Sequence, residues 1–185
     1  MCIRDRVHGV TVGMGGGNLN TNTAVGLQAL SVNTTGFNNV MVGTQTGLAN
    51  TTGAGNTGLG AFTLISNTTG SNNTALGAYA LQKNTATNNT AVGQGALLNN
   101  TTGSPNDAFG YQALNSNTTG TNNVAIGFQS LFANTTGVEN VAVGWSALQS
   151  NVTGVDNTAV GTSALLASTA TQNTAVGAYA VSYTH

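Results

Sequence analysis

The stretch NTTGTNNVAIGFQSLFANTTG, residues 117–137, contains the whole of a short unit that recurs along this chain. Ten glycines mark the unit at steps of 17 or, twice, 16 residues. They are Gly26, Gly43, Gly60, Gly77, Gly93, Gly110, Gly127, Gly144, Gly161 and Gly177. The period is too short for a helical hairpin and fits one turn of a β-solenoid, in which each coil stacks on the preceding one. The sequence therefore predicts an all-β fold, a parallel β-solenoid (β-roll) of about ten coils of 16–17 residues.

One repeat reads Asn-Thr-Ala-Val-Gly-x-x-Ala-Leu-x-x-Asn-Thr-Thr-Gly-x-Asn, and we number its repeat positions one to seventeen. Positions two to four and six to nine are predicted to be short strands. Because side chains alternate across a strand, the large residues of positions four and nine are predicted to face inward, and the small residues of positions three and eight outward. The predicted core is Val25, Val42, Leu59, Leu76, Val92, Phe109, Ile126, Val143, Val160 and Val176 from position four, and Leu30, Leu64, Leu81, Leu97, Leu114, Leu131, Leu148 and Leu165 from position nine.

The two 16-residue coils are short in the same place. Residues 84–89 and 168–173 lack the glycine of Asn-Thr-Thr-Gly, so the missing residue is expected in a turn. Turns tolerate deletions, whereas a one-residue slip in a strand exchanges its two faces. The strands are therefore predicted to keep their register through both short coils.

Alanine fills most of position three. A small apolar residue repeated along an outer face indicates close packing against another surface. The alternative is that alanine only keeps a tight coil compact. A narrow coil buries little core, which favours association of several chains.

Charged residues make up only 4% of the chain, against roughly 25% in ordinary soluble domains. Stacking explains this, because like charges in neighbouring coils would repel, whereas Asn and Thr can form hydrogen-bonded ladders. The net charge of −1 offers no basic surface for nucleic acid. No apolar run approaches the roughly 18 residues of a membrane helix. We therefore expect neither a nucleic-acid partner nor a membrane span within this segment.

The two ends differ in composition from the repeats. Residues 1–6 and 181–185 contain the one cysteine, both arginines and one of the two histidines. They are similar to translated sequencing-adapter read-through in metagenomic assemblies, and we interpret them as artefact or disordered; the alternative is genuine frayed termini. On this interpretation the chain is an internal fragment, with a lead-in over residues 7–21 and the repeat solenoid over residues 22–180.

The block NVAIG at residues 123–127, followed by Ser130, resembles the Ser-Val-Ala-Ile-Gly-x-x-Ser repeat of YadA-type trimeric autotransporter adhesin heads. That family's repeat is shorter, and its second serine is usually alanine here. The longer Asn-Thr-Thr-Gly unit, with the lead-in at residues 9–18, is closer to repeat regions of phage tail fibres. The resemblance implies a fibrous β-roll, a homotrimer and an extracellular location, on a virion tail fibre or a bacterial surface. It identifies no receptor.

An enzyme is not expected. The repeat region contains no histidine or cysteine, so its hydroxyl groups have no general base and zinc has no ligands. The glycines of residues 13–17 do not complete a dinucleotide fingerprint, because Asn18 occupies its last position. We predict no catalytic residue, cofactor or metal. Glu139 and Asp156 share position seventeen in neighbouring coils and could share a calcium ion, but we interpret them as solvated turn residues.

Three aromatic residues, Tyr111, Phe128 and Trp145, occupy position six of successive coils and are predicted to stack into a ladder. Such a ladder could bind a sugar or a receptor, form a contact between subunits, or only stiffen the stack. The Asn-x-Thr sequons, such as residues 33–35, are interpreted as turns rather than glycan acceptors.

The leading hypothesis for function is a rigid rod or receptor-presenting stalk in a phage tail fibre or bacterial adhesin. The alternative is ice binding through a threonine ladder, because position thirteen is threonine in most coils. A disordered linker is a third possibility, suggested by the Asn, Thr and Gly content. Aliphatic residues at fixed positions argue against it. The position-thirteen threonines are Thr34, Thr51, Thr68, Thr85, Thr101, Thr118 and Thr135.

Overall fold

The computed structural model describes residues 5–7, 10–13, 15 and 21–182, and the regular structure of this part of the chain consists of strands alone. The strands are β1 (Asp5–Val7), β2 (Val10–Gly13), β3 (Thr23–Val25), β4 (Val40–Val42), β5 (Thr57–Leu59), β6 (Thr74–Leu76), β7 (Asn89–Val92), β8 (Asn106–Phe109), β9 (Asn123–Ile126), β10 (Val141–Val143), β11 (Thr158–Val160) and β12 (Thr174–Val176). They form one sheet in sequence order. Strands β3 to β12 are parallel, whereas β1, β2 and β3 pair antiparallel at the amino-terminal end.

Equivalent residues of successive coils lie side by side. Val143 pairs with Ile126 on one side and with Val160 on the other, so the stack is a parallel β-solenoid as predicted. We number its coils one to ten by their first residues, which are Asn22, Asn39, Asn56, Asn73, Asn89, Asn106, Asn123, Asn140, Asn157 and Asn173. Of the residues set apart at the ends, Asp5 and Arg6 lie in β1, and residues 1–4 and 183–185 lie outside the described residues.

The short coils keep the strand register, as predicted. Thr74 pairs with Thr90 although only 16 residues separate them. The missing residue is not the glycine, however. The carbonyl of Ala86 accepts hydrogen bonds from Asn73 and Asn84, as the carbonyl of position fifteen does in the full-length coils. Alanine therefore takes the place of the turn glycine, and the second threonine is the residue lost.

Each coil contains one strand, not the two predicted. The segment at positions six to nine is not extended, because positions seven and nine adopt left-handed backbone conformations, as at Gln45 (φ 55°) and Leu30 (φ 49°). Its amides still bond between coils. The amide of Leu30 donates to the carbonyl of Thr46 at 3.0 Å, and that of Gln45 donates to Leu27 at 2.8 Å. This segment therefore ties neighbouring coils together without forming a β-strand.

The prediction for the two faces of the strand was wrong. Position three is buried in every coil, and position four is half-buried or exposed. The residues wrongly assigned to the core are Val25, Val42, Leu59, Leu76, Val92, Phe109, Ile126, Val143, Val160 and Val176. The position-nine leucines are buried as predicted: Leu30, Leu64, Leu81, Leu97, Leu114, Leu131, Leu148 and Leu165.

The asparagine of position one explains why position three faces inward. Asn140 is fully buried, and its Nδ2 donates at 2.9 Å to the carbonyl of Gly154 across the coil. Because side chains alternate, an inward position one places position three inward and positions two and four outward. The interior then has room for one leucine per coil, facing alanine.

Two buried asparagine ladders run along the inside of the stack. At position one, the backbone amide and Nδ2 of Asn140 both donate to Oδ1 of Asn123 at 3.0 Å. At position twelve, Nδ2 of Asn134 donates to Oδ1 of Asn117 at 2.9 Å and to the carbonyl of Gly137 at 3.1 Å. Each carboxamide thus joins its own coil to the preceding one.

The glycine of position five is required for two reasons. Gly43 has φ of 138°, which L side chains rarely adopt. A Cβ atom at this residue would also lie 2.5 Å from the carbonyl oxygen of Gly60 in the next coil. The same two constraints apply at each glycine of this position from Gly26 to Gly161, which is why this glycine marks the period in the sequence.

Coil two departs from the consensus at positions three and nine, and the two changes compensate each other in side-chain volume. Gly47 replaces the leucine of position nine, and Met41 replaces the alanine of position three and is fully buried. A Cβ atom on Gly47 would lie 3.0 Å from Sδ of Met41, so the methionine occupies the space of the missing leucine. The methionine also crowds position three of coil three, where Gly58 stands instead of alanine.

We predict that Gly58→Ala destabilises the protein by about 1–3 kcal/mol, although alanine is the consensus at this position. The new methyl group would lie 2.8 Å from Sδ of Met41 and 2.5 Å from Cγ2 of Thr46. In a Met41→Ala/Thr46→Ala/Gly47→Leu background, which restores the consensus coil, the same change is expected to cost less than half as much. Guanidinium unfolding followed by circular dichroism measures both costs, and equal costs would contradict the compensation.

We predict that Ser168→Asn stabilises the protein by about 1 kcal/mol. Ser168 stands where the position-twelve ladder would continue, and Oδ1 of Asn151 is buried without a partner among the described residues. The other short coil shows that asparagine fits, because Nδ2 of Asn84 donates to the carbonyl of Ala86 at 2.9 Å and to Oδ1 of Asn67 at 3.4 Å. Ser168→Ala is the control and should be nearly neutral. An unchanged or lower unfolding midpoint for Ser168→Asn would count against this account of the ladder.

Candidate functional site: the outer face of the sheet

The outer face of the parallel sheet carries repeat positions two and four, and position six follows just beyond the end of each strand, after the turn glycine. Position four presents an apolar stripe along all ten coils, without one polar residue. Its members include Leu59, Ile126 and Val160, which are 46%, 42% and 37% exposed. Isolated exposed apolar residues are normal on proteins, but the in-register pairing of β3 to β12 joins these into one continuous stripe.

The predicted aromatic ladder is confirmed. The ring centroids of Tyr111 and Phe128 lie 5.3 Å apart, and those of Phe128 and Trp145 lie 6.0 Å apart. The interplanar angles are 13° and 10°, so the rings are stacked nearly parallel. All three side chains are exposed, and each follows a member of the position-four stripe by two residues in the sequence.

Stacking decides what the ladder can bind. Each face of Phe128 is covered by a neighbouring ring, so this residue presents only its edge to solvent. A sugar packs against an aromatic face, and the faces left are the outer ones of Tyr111 and Trp145, at the two ends of the ladder. The geometry therefore gives the ladder mainly apolar edges, which suit a packing surface better than a saccharide platform.

A second aromatic stack was not predicted. Phe62 and Tyr79 occupy position seven of neighbouring coils, and their ring centroids lie 5.3 Å apart at an interplanar angle of 10°. The signal was present in the sequence, since the two residues are 17 apart like the members of the first ladder.

Most of the threonines of position thirteen use their hydroxyl groups for hydrogen bonds between neighbouring coils. The Oγ1 atoms of Thr34, Thr101 and Thr118 donate to the carbonyl of the same position in the next coil, at 2.9–3.0 Å. Thr51, Thr85 and Thr135 do the same. These hydroxyl protons point along the solenoid axis and are donated to backbone carbonyls of the next coil. They are therefore not available for hydrogen bonds to ice.

The acidic residues of the coils, which are Asp107, Glu139 and Asp156, are all exposed. Glu139 and Asp156 both adopt the left-handed turn conformation of position seventeen. Within residues 5–7, 10–13, 15 and 21–182, no group of three histidine, cysteine or acidic side chains is placed to hold a metal ion. Asp107 lies apart from them, on the outward position two of β8.

The same part of the chain has no enclosed pocket, and none of its segments is a helix able to cross a bilayer. Cys2, His8 and His185 lie outside the described residues. The structure therefore draws attention to one extended surface, the outer face of the sheet. Comparison of the chain with protein-family models, with curated proteins and with solved structures finds no match.

We predict that Phe128→Ala destabilises the protein by about twice as much as Tyr111→Ala, since it removes two stacked contacts of about 0.5–1.5 kcal/mol each rather than one. Leu27→Ala is the control, because it truncates an exposed but non-aromatic side chain of the same repeat position. Guanidinium unfolding gives the three values. Equal losses for the two aromatic variants would show that stacking within the ladder contributes little.

Proposed function

We propose that this chain is a rigid, non-enzymatic segment of an extracellular fibre, belonging to a phage tail fibre or a bacterial surface adhesin. The in-register stack of ten parallel strands is the observation that carries the proposal. Nine steps of about 4.8 Å give a shaft roughly 45 Å long. Such a shaft acts by its shape and length, as a spacer or as a stalk that holds another part of the fibre away from its base.

The bonding along the axis supports a mechanical role. Bending the shaft would have to lengthen the hydrogen bonds between coils, which include the strand ladder, the bonds of positions seven and nine, and both asparagine ladders. Buried amides are costly to leave unpaired, at about 1–3 kcal/mol each, so local opening is resisted. The coils also carry no long loop that would serve a different purpose, since each repeats the same 16 or 17 residues.

Ice binding through the threonine ladder receives less support. A solenoid that binds ice presents hydroxyl groups outward on a flat strand face. The threonines of position thirteen lie in a turn instead, and six of them donate their hydroxyl protons to neighbouring coils. A thermal-hysteresis assay with micromolar protein tests this alternative, and we expect no activity.

We predict that duplicating coils six and seven, residues 106–139, lengthens the shaft by about 10 Å at constant thickness, because each coil adds one step of about 4.8 Å. Small-angle X-ray scattering measures the maximum dimension and the cross-sectional radius of gyration. The control is an insertion of equal length with the same residues in scrambled order, which has no repeat to stack. An increase in the cross-section for the duplicated chain would contradict a rod.

The flanking reading frame distinguishes the two fibre types. A tail-fibre chaperone domain encoded downstream would indicate a phage, and an outer-membrane anchor would indicate a bacterial adhesin. A catalytic domain fused directly to the solenoid, with neither of these, would argue against the fibre role.

A further inference from the structure

The two ends of the parallel stack differ in what lies against them. At the amino-terminal end β2 pairs antiparallel with β3, through Val12 with Val25 and Gly13 with Ala24. At the other end β12 pairs with β11 and, among the described residues, with no further strand. The lead-in therefore lies where a coil before coil one would lie, and the far side of β12 has no equivalent within the described part of the chain.

Burial at the two ends follows this difference. Leu30 takes position nine in coil one and is fully buried, whereas Val181 takes the same position in coil ten and is 61% exposed. Position eight repeats the contrast, because Ala29 is buried and Ala180 is only half-buried. Both coils are terminal in the stack, so the burial of coil one comes from the lead-in that covers it.

Gly15 makes the close contact between the lead-in and coil one. It is buried and has φ of 74°, a conformation that L side chains rarely adopt. A Cβ atom on Gly15 would lie 2.7 Å from the carbonyl oxygen of Leu30 and 2.8 Å from the Cβ atom of Leu30. The backbone of the lead-in thus lies directly against the leucine of the first coil, at a distance that only glycine permits.

We infer that residues 10–13 and 15 form an end cap, which covers the core of coil one and occupies the edge of β3 that another coil would need. A coil joins the stack through its whole outline of 16 or 17 residues, with a parallel strand and two buried carboxamides. Strand β2 offers four residues that run in the opposite direction. The lead-in therefore closes this end of the stack instead of continuing it, which goes beyond the proposed fibre role and is independent of it.

The edge of β3 would bind other strands if the cap were absent. In the stack, the amides of positions five and seven donate to the preceding coil, as Gly43 does to the carbonyl of Val25 at 2.8 Å. The same amides of coil one have no preceding coil to which they could donate. An open strand edge pairs readily with strands of other chains, and β12 of a second copy presents the complementary edge of the same repeat. The cap thus keeps copies of the chain from joining end to end.

Hydrogen exchange with mass spectrometry tests the cover in the unaltered protein, by comparing equivalent peptides of three coils. Residues 22–30 of coil one are expected to exchange as slowly as residues 89–97 of coil five, deep in the stack. Residues 173–181 of coil ten, the uncovered end, should exchange at least about 10-fold faster than either. Exchange of coil one as fast as that of coil ten would overturn the cap.

Gly15→Val tests whether the cap closes the edge, because its side chain would collide with Leu30 and detach the lead-in. Gly58→Ala is the matched control, since it introduces a similar collision in coil three, away from both ends. We expect Gly15→Val to lose the protection of residues 22–30 and to form end-to-end filaments in negative-stain electron microscopy. Gly58→Ala should give particles of the same length as the unaltered chain.

Filaments from both variants, or from neither when circular dichroism shows that Gly15→Val keeps its β-sheet signal, would contradict the closed edge. If Gly15→Val does not fold, the exchange of coil one against coil ten in the unaltered protein decides the question. Lengthening of the shaft by added coils tests the fibre role separately, and neither result predetermines the other.

Discussion

The buried carboxamides of repeat positions one and twelve are the constraint on which this solenoid depends. Asn140 and Asn134 lie in a dry interior, where an unpaired amide costs about 1–3 kcal/mol. They are satisfied only when the carboxamide of a neighbouring coil lies directly above or below and the turn carbonyl of their own coil accepts the other hydrogen bond. The free energy of hydrophobic burial changes little when a coil shifts slightly along the axis, whereas these hydrogen bonds are directional and would be broken. The polar ladders therefore set the register, and the leucines add burial to an arrangement already specified.

The same constraint determines the outer surface. An inward carboxamide at position one sets the parity of the strand, so the aliphatic residue three positions later must face outward. The interior is too narrow for two large side chains per coil and accepts one leucine with alanine opposite. Coil two shows that the interior volume is nearly constant along the stack. Met41 brings the large side chain to position three, and Gly47 leaves position nine without one. In the next coil Gly58 replaces the alanine of position three, which makes room for the methionine. The exposed stripe is thus a consequence of what the core must contain.

Periodicity was enough to predict the solenoid, its parallel register and the stacking of Tyr111 on Phe128, because all three follow from the translation of one coil onto the next. Periodicity was not enough to predict which face of the strand points into the interior of the coil. Alternation states which residues share a face but not which face is inside, and the assumption that larger side chains are buried assigned Val143 to the core and Ala142 to the surface. The asparagine of position one held the missing information, since a residue with four hydrogen-bonding requirements repeated in every coil is satisfied inside a ladder. The second strand was also predicted wrongly, because left-handed leucines such as Leu30 have no sequence signal of their own.

In a chain of near-identical coils, two kinds of residue can point to function. One kind departs from the consensus repeat, and the other is the same in every coil although the packing of the core does not require it. Met41 is a departure explained by packing. The aromatic residues of position six are a departure that the interior does not explain, because their side chains lie outside it. The position-four stripe is the converse case, a uniformity without a role in the core. Both features lie on the outside of the coil, so the hydrogen-bonded interior that specifies the stack explains neither of them.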